Sequence, residues 1–421
     1  MLGAESDRAM NLELLRPFTV EEVKHALDSM HPLKSPDLTV CLLFSISVAG
    51  LYSPELVYDF RPISLCNVVY KLASKEIANS MKPFLDTLIS QSQSAFIPSR
   101  SILDNVLVAY EVNHYLSHKY QDNSGHIALK LDLNKAYDRV EWHFLERVMK
   151  RLGFDSHFVG LIMLCVKSVS FSFMLNGVSF GHLQPYLFLF CVEAFCDMVR
   201  REEAVGSIHE VCVCRSSPRV SHLLFADNTL LFCDANQATL QSVCGLLTKF
   251  EEGSGVQVNY QKSAVVLSKN VRHHTQEELA AFIGVVRITK NEKYLGLPSI
   301  IGRSKREVFA GLKEKVWRRL QVWTSKRLSQ AGRGVLIQSV ILDQECNRKI
   351  HCVAWSTLCK SKKDDGLGFK RFPYQNMALL SKQGWRLVSN PQVLAYQILR
   401  ARYFPNSDFS SAQIGSNPSV M

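Results

Sequence analysis

No apolar run in this chain reaches the ~18–20 residues that a membrane-spanning helix needs. The most apolar segment, 183–195, is too short and carries Glu193. The first fifteen residues lack the basic-then-apolar layout of a secretory leader. The expectation is a soluble, intracellular protein, nuclear or cytoplasmic, with no membrane partner. No Cys-x-x-Cys pair occurs among the 12 cysteines. Cys212 and Cys214 are too close for ordinary zinc spacing, and Cys346, Cys352 and Cys359 have no matching histidines. Reduced, mostly buried thiols are expected. There is no His-Glu-x-x-His helix, no phosphate loop and no Ser or Cys hydrolase constellation; Gly332-Arg333-Gly334 stands alone. Internal repeats and low-complexity tracts are also missing.

What is present is a globular composition. Of 421 residues, 47% are hydrophobic and 21% charged, enough for a sizeable core and two or three domains. The net charge of +11 is unevenly spread. From residue 287 onward there are 24 Lys and Arg against 8 Asp and Glu; residues 1–286 carry 25 against 30. A basic final third joined to a slightly acidic body points to a polyanionic partner. A solvated basic face without a partner is the plainer alternative.

Thr19 and Glu22 form a capping-box pattern that predicts a helix over 17–30. The spacing predicts a long helix over 68–88, interrupted late by Pro83, and another from Ser101 to about His118. Residues 126–133 alternate as a strand does. A helix follows in which Val140, Leu145, Val148 and Leu152 recur at helical spacing, with Gly153 as its stop. A hairpin is expected at Asn176-Gly177, then an apolar helix over about 186–199. LLFADNTLLF, residues 223–232, reads as two strands joined by a tight turn at Ala226-Asp227-Asn228. A helix over about 236–252 and further strands to 268 complete a β-α-ββ-α-β order, ferredoxin-like in pattern. Beyond 270, a basic amphipathic helix is predicted over 304–328, and the tail from about 355 is helical and basic, with a loop at Asp364-Asp365-Gly366.

Asp132 ends one predicted strand, and Asp227 sits in the hairpin turn of another. In a ferredoxin-like sheet those strands are able to lie side by side. Two adjacent carboxylates with few other ligands suit Mg²⁺, which keeps its waters and accepts phosphate oxygens. Two such ions about 3.5–4 Å apart drive phosphoryl transfer. Each aspartate alone reads equally as a turn or cap residue.

Seven blocks, in order, resemble the reverse transcriptases of non-LTR (LINE-type) retrotransposons, especially those abundant in plant genomes. They are DFRPISLCNVVYKLASKEIANSMKPFL, QSAFIPSRSILDNVL, ALKLDLNKAYDRVEWHFLERVMKRLGF, LLFADNTLLF, SGVQVNYQKS, KYLGLP and the stretch from GLGFKRF to LRARYFP. The resemblance covers nearly the whole chain. It implies an α+β right-hand polymerase with fingers, a ferredoxin-like palm, a helical thumb and a basic helical C-terminal region. The corresponding division is an N-terminal extension at 1–58, fingers at 59–125, palm at 126–270, thumb at 271–345 and a basic region at 346–421. The activity implied is RNA-directed DNA polymerisation, with Mg²⁺ or Mn²⁺, an RNA template, a DNA primer and dNTP.

Carried over by the resemblance, Asp132 and Asp227 are catalytic, metal-binding aspartates, with position 228 the third metal contact. Tyr137 is a steric gate against a ribose 2′-OH, or else a core aromatic. Lys262 is a lysine able to protonate departing pyrophosphate, or else a solvated surface residue. Arg61 and Arg100 face the triphosphate or the template. On the predicted 304–328 helix, Arg318, Arg319, Lys326 and Arg327 contact nucleic acid.

The chain also departs from the family pattern. The family has Phe-Ala-Asp-Asp where this chain has Asn228 in last place. The glycine-rich motif B, close to Arg-Gly-Leu-Arg-Gln-Gly-Asp-Pro, is missing: NGVSFGHLQPYLFLF runs directly to Tyr186. The segments near Pro36 and near Asp343-Gln344-Glu345 are shortened too. Such in-frame losses are what a decayed element or a mis-joined gene leaves behind. The expectation is an impaired or inactive polymerase; the alternative is a catalytically dead nucleic-acid-binding protein or an element remnant.

Overall fold

Alternation in residues 126–134 sets the centre of the fold. The computed structural model describes residues 4–29, 68–121, 124–134, 136–167, 184–285, 287–288, 293–298 and 371–412, with scattered positions between 310 and 368. The chain divides into two compact units, Met1–Leu295 and Gly296–Met421.

The first unit begins with α1 (Ala4–Leu15) and α2 (Val20–Asp28). Thr19 caps α2 in a full capping box with Glu22, as the sequence predicts. Next come α3 (Val68–Met81), a 3₁₀ turn at Lys82–Phe84 that takes up Pro83, α4 (Leu85–Leu88) and α5 (Ile102–His118). Ser101 caps α5 by accepting from the Leu103 amide at 3.2 Å. Strand β1 is His126–Asn134. Then follow α6 (Ala136–Arg139), α7 (Trp142–Arg151), α8 (Ser156–Lys167) and α9 (Gln184–Val205). Strands β2 (Val211–Cys212) and β3 (Arg219–Val220) form a minor ribbon. The unit continues with β4 (His222–Phe225), β5 (Asn228–Asp234), α10 (Gln237–Ser254), β6 (Gln257–Val258), β7 (Ala264–Leu267), α11 (His273–Ile283) and β8 (Arg287–Ile288).

The main sheet runs β4-β5-β1-β7-β8, with β6 also on β1. β1 is antiparallel to both β5 and β7, and β8 joins in parallel. Its first four strands carry the order expected of a β-α-β-β-α-β unit. Ile127, Leu129, Leu131 and Leu133 point into one core, where Phe188 and Val192 of α9 meet Leu246 and Phe250 of α10. A second core joins Met10 and Leu14 of α1, Ile77 and Met81 of α3, Leu145 and Met149 of α7, and Leu187 and Phe190 of α9. Helix α9 therefore serves both cores, which explains an apolar run with no solvent face.

The predicted helix from Asn134 to Gly153 is split. It breaks at Val140-Glu141, where the Glu141 amide donates to Ser254 O at 2.9 Å at the end of α10. Gly255 follows there at φ +75°, and a Cβ on it would lie 2.5 Å from Arg139 O. Only glycine fits that approach. Gly153 ends α7 at φ +89°, as its position predicts. Helix α1 was not anticipated, although Met10 and Leu14 stand one turn apart and are both buried.

In the second unit, α12 (Phe372–Ser389) and α13 (Leu394–Tyr403) are helical as expected of the tail. Ala395, Ile398 and Phe404 are buried, and Phe404 meets Tyr396 and Phe409 edge-on at 5.9 and 5.8 Å. Within the predicted 304–328 helix, positions 310, 311, 313, 314 and 317 are helical. Arg318, Arg319, Lys326 and Arg327 lie outside the described residues, as do Arg61, the Asn176-Gly177 hairpin and the Pro36 segment.

The two-core arrangement makes a stability prediction. Leu129→Ala, in the middle of β1 and fully buried, should cost about 2–5 kcal/mol in urea unfolding. Leu12→Ala, on the exposed side of α1, should stay within about 0.5 kcal/mol of the parent. Equal losses would contradict the assignment of β1 to the core.

Candidate active site

Register decides what meets at the carboxylates. β1 pairs β5 from His126 opposite Asp234 to Asp132 opposite Asn228. Directly opposed residues point to the same face, with Cβ atoms about 4.5–5.5 Å apart. That face alternates with the core face, so Asp132 and Asn228 are half-buried while Leu131 and Thr229 are buried.

Asp227 precedes Asn228 in a two-residue turn. Phe225 pairs with Asn228, leaving Ala226 and Asp227 as the central residues. Asn228 is therefore the first residue of β5, not part of the turn. Ala226 has φ +54°, and Asp227 is not among the residues with positive φ. One positive φ at the first central position is the type II′ pattern, where glycine is the favoured residue. The Asn228 side-chain amide donates to Asp227 Oδ1 at 3.1 Å. An aspartate at 228 has no such hydrogen to give when ionised.

Asp132 is fixed through its backbone. Its amide donates to Ser263 Oγ at 3.3 Å, and its carbonyl accepts from the Asn259 amide at 2.8 Å. Ser263 Oγ in turn donates to Asn259 O at 2.7 Å. The turn between β6 and β7 thus hangs on the residue that carries the first carboxylate. Lys262 lies in this turn with an exposed side chain, its amide bonded to Asn259 Oδ1 at 3.1 Å.

Tyr137, on α6, is half-buried against the main core, its ring 4.7 Å from that of Phe188 and tilted 49°. The core-aromatic alternative describes that packing.

Arg100 is put to a different use from the one expected. Its side chain is only 10% exposed. Nε donates to Asp86 Oδ1, one terminal nitrogen to the carbonyls of Ser90 and Gln93, and the other to those of Asp86 and Ile89. A guanidinium has five N–H donors, and all five are spent on α4 and the loop that follows it. A triphosphate would have to displace them.

Glu193, noted in the sequence only as an interruption of an apolar run, holds the same loop. Buried in α9, it accepts from the Ser90 amide at 2.8 Å and from Arg200. A lone carboxylate inside an apolar helix was the available signal, because a buried charge needs partners.

The arrangement offers two carboxylates and one amide oxygen at the end of a sheet. One or two carboxylates are what Mg²⁺ ordinarily takes from a protein, so the donors fit a single ion. A second ion would share the same two charges. Among the described residues, no group of three His, Cys, Asp or Glu comes together for a metal. The described cysteines are all free, and burial pushes the thiols of Cys191 and Cys233 up and that of Cys196 to about 12. No helix among the described residues is long and apolar enough to cross a membrane.

Arg100→Met should cost roughly 2–4 kcal/mol, because it removes the guanidinium's donors from several carbonyls in a nearly closed site. Amide exchange in residues 86–95 should quicken with it. Retention of parental stability and exchange would return Arg100 to the list of free ligand-binding cations.

A family profile described as reverse transcriptase (RNA-dependent DNA polymerase) matches residues 54–299, more than half of the chain. An uncharacterized mitochondrial protein of Arabidopsis thaliana is 49% identical over 76 residues, 18% of this chain and 49% of that protein. An uncharacterized 149 kDa protein of transposon TX1 from Xenopus laevis is 25% identical over 306 residues, 69% of this chain and 22% of that protein. The chain thus spans about half or less of the length of these relatives. Apo telomerase from Candida tropicalis, truncated from its C-terminal domain, overlaps 54% of this chain and 44% of its own at 11% identity. The TM-score of that overlap is 0.33. On the profile match, the chain belongs to the reverse transcriptase (RNA-dependent DNA polymerase) family.

Proposed function

We propose that this chain is the polymerase portion of a retrotransposon reverse transcriptase, of the non-LTR, plant-like kind, and that it is catalytically impaired. The observation that carries the reading is the pairing of Asp132 with Asn228, one residue after Asp227. That pairing supports Asp132 and Asp227 as the ligands of Mg²⁺ or Mn²⁺ beside a dNTP. The sheet and its two backing helices correspond to the palm of the 126–270 division, with fingers before it and thumb and basic region after it. Lys262, on the turn bonded to Asp132, is the candidate proton donor to pyrophosphate. Tyr137, packed against Phe188, is the candidate gate against a ribose 2′-OH. Arg61 is the remaining fingers cation for the triphosphate.

Impairment has two sources. Asn228 removes one negative charge and bonds to Asp227 instead. Loss of a single preorganised electrostatic group costs roughly 10²–10³ in rate. The missing motif B loop affects positioning, where a misplacement of about 1 Å costs roughly 10²-fold. The two losses act separately, so repairing the charge alone should not restore synthesis. Primer extension on a homopolymer RNA template, with Mg²⁺ or Mn²⁺, tests four proteins: the chain as written, Asn228→Asp, loop restored, and both changes. Synthesis only by the double repair is expected. Robust synthesis by the unmodified chain would overturn impairment, and full rescue by Asn228→Asp would show that the loop is dispensable.

The second reading, a nucleic-acid-binding protein without catalysis, is favoured by the basic final third of the sequence. RNA and hybrid duplex should bind without sequence preference, and affinity should fall steeply with salt as phosphate contacts release counterions. Replacing Arg318, Arg319, Lys326 and Arg327 by Gln should flatten the salt slope. Filter binding that is absent at about 50 mM salt, or insensitive to salt, would count against this interface.

A further inference from the structure

Segment 89–95 runs beside the strand that leads into the carboxylate turn. Ser94 donates its amide to Leu224 O at 3.1 Å, and the Leu224 amide donates to Ser92 O at 2.8 Å, a parallel bridge between Gln93 and Leu224. From this bridge the Gln93 side chain reaches past the end of β4. Its Oε1 accepts from the Ala226 amide at 3.2 Å and from the Ala95 amide at 2.9 Å. Gln93 is 1% exposed and Ala226 6%. A buried amide without a partner is costly, and Ala226 also occupies a φ that alanine avoids.

Both contacts use the acceptor end of the Gln93 amide. Its Nε2 has no hydrogen-bond partner among the described residues. The acceptor is itself held in place, because Arg100 donates to Gln93 O at 2.7 Å and Glu193 accepts from Ser90 N at 2.8 Å. The chain of contacts runs from a clamped loop, through one side-chain oxygen, to the first central residue of the turn that carries Asp227.

We propose that Gln93 is a positioning residue for Asp227. Its oxygen satisfies the Ala226 amide in the strained conformation and so fixes where the neighbouring carboxylate stands. The role in metal binding rests on the polymerase reading above; the hold on the turn does not.

Two measurements on the full chain separate these parts. The first is hydrogen exchange at the Ala226 and Leu224 amides. Leu224 is held by a backbone carbonyl and is the internal reference. Gln93→Met removes the acceptor at similar volume, and exchange at Ala226 should rise about tenfold over that at Leu224. Gln93→Glu keeps an acceptor oxygen and puts a second oxygen in place of the unpartnered NH2; burial favours its uncharged form, and in that form it should restore slow exchange. Should Gln93→Met not fold, Gln93→Asn withdraws the same oxygen by one methylene and should give the same imbalance. Unchanged exchange at Ala226, or equal acceleration at both amides, would overturn the proposal.

The second measurement is Mn²⁺ binding, followed by electron paramagnetic resonance. Gln93→Met should weaken it by about tenfold. Mn²⁺ affinity that does not move while Ala226 loosens would overturn positioning of a metal-binding carboxylate. If the unmodified chain binds no Mn²⁺ at all, the polymerase reading of the site fails, while the exchange ratio still decides the hold on the turn.

Discussion

The pairing of β1 with β5 is the constraint from which the rest follows. Seven residue pairs run from His126 with Asp234 to Asp132 with Asn228. Side chains alternate, so one choice of register places every core residue and every polar residue together. Leu129 and Leu131 go to the helices, and Asp132 goes to the opposite face. A slip of one residue would point Asp132 at Phe188 and expose the leucines. The hydrophobic cost of that slip, at roughly 1.5–3 kcal/mol for each large side chain, is what keeps the carboxylate where it is. The position of the polar group is set by apolar groups on the other side of the strand.

A second layer of constraint comes from α9. It lies between two cores and has to be apolar on nearly all sides, yet it holds Glu193 at 7% exposure. The carboxylate is tolerated because Ser90 N and Arg200 satisfy it. Arg100, near the end of the same loop, ties it back to Asp86 in α4 and to the carbonyls of Ile89, Ser90 and Gln93. A loop with no regular hydrogen-bond ladder is thereby held by side-chain contacts at several points. The loop is tied to β4 by backbone pairing at Leu224.

Local signals in the sequence were legible where a single residue carries the physics. Thr19 with Glu22, Ser101 and Asn236 mark helix starts, and each side chain bonds the expected backbone amide. Gly153 marks a helix end by its positive φ. The hairpin around Asp227 was legible because two apolar runs leave room for only a short turn. Signals that depend on a distant partner were not. The break at Val140 exists because Ser254 and Gly255 arrive from another helix. Arg100 looked like a ligand-binding cation because all but one of its acceptors are backbone carbonyls, which every residue has and no sequence displays. Gln93 was unremarked for a related reason: its partner is the amide of Ala226.

Asn228 sits where these two kinds of signal meet. With aspartate at this position, three carboxylates would gather at the end of the sheet. Like charges a few ångströms apart disfavour one another's ionised form unless a cation lies between them. The amide replaces that repulsion with a hydrogen bond to Asp227. For the protein alone, the substitution removes an electrostatic cost and adds a contact. For a bound divalent ion, it removes one of three charges and engages an oxygen of a second. Stability and metal affinity therefore pull in opposite directions at this one residue, a common tension at functional sites. The register does not change, because it is held by the leucines and not by the carboxylates. A chain can keep this fold intact while the chemistry at its edge is weakened, since separate residues on opposite faces of β1 carry the two.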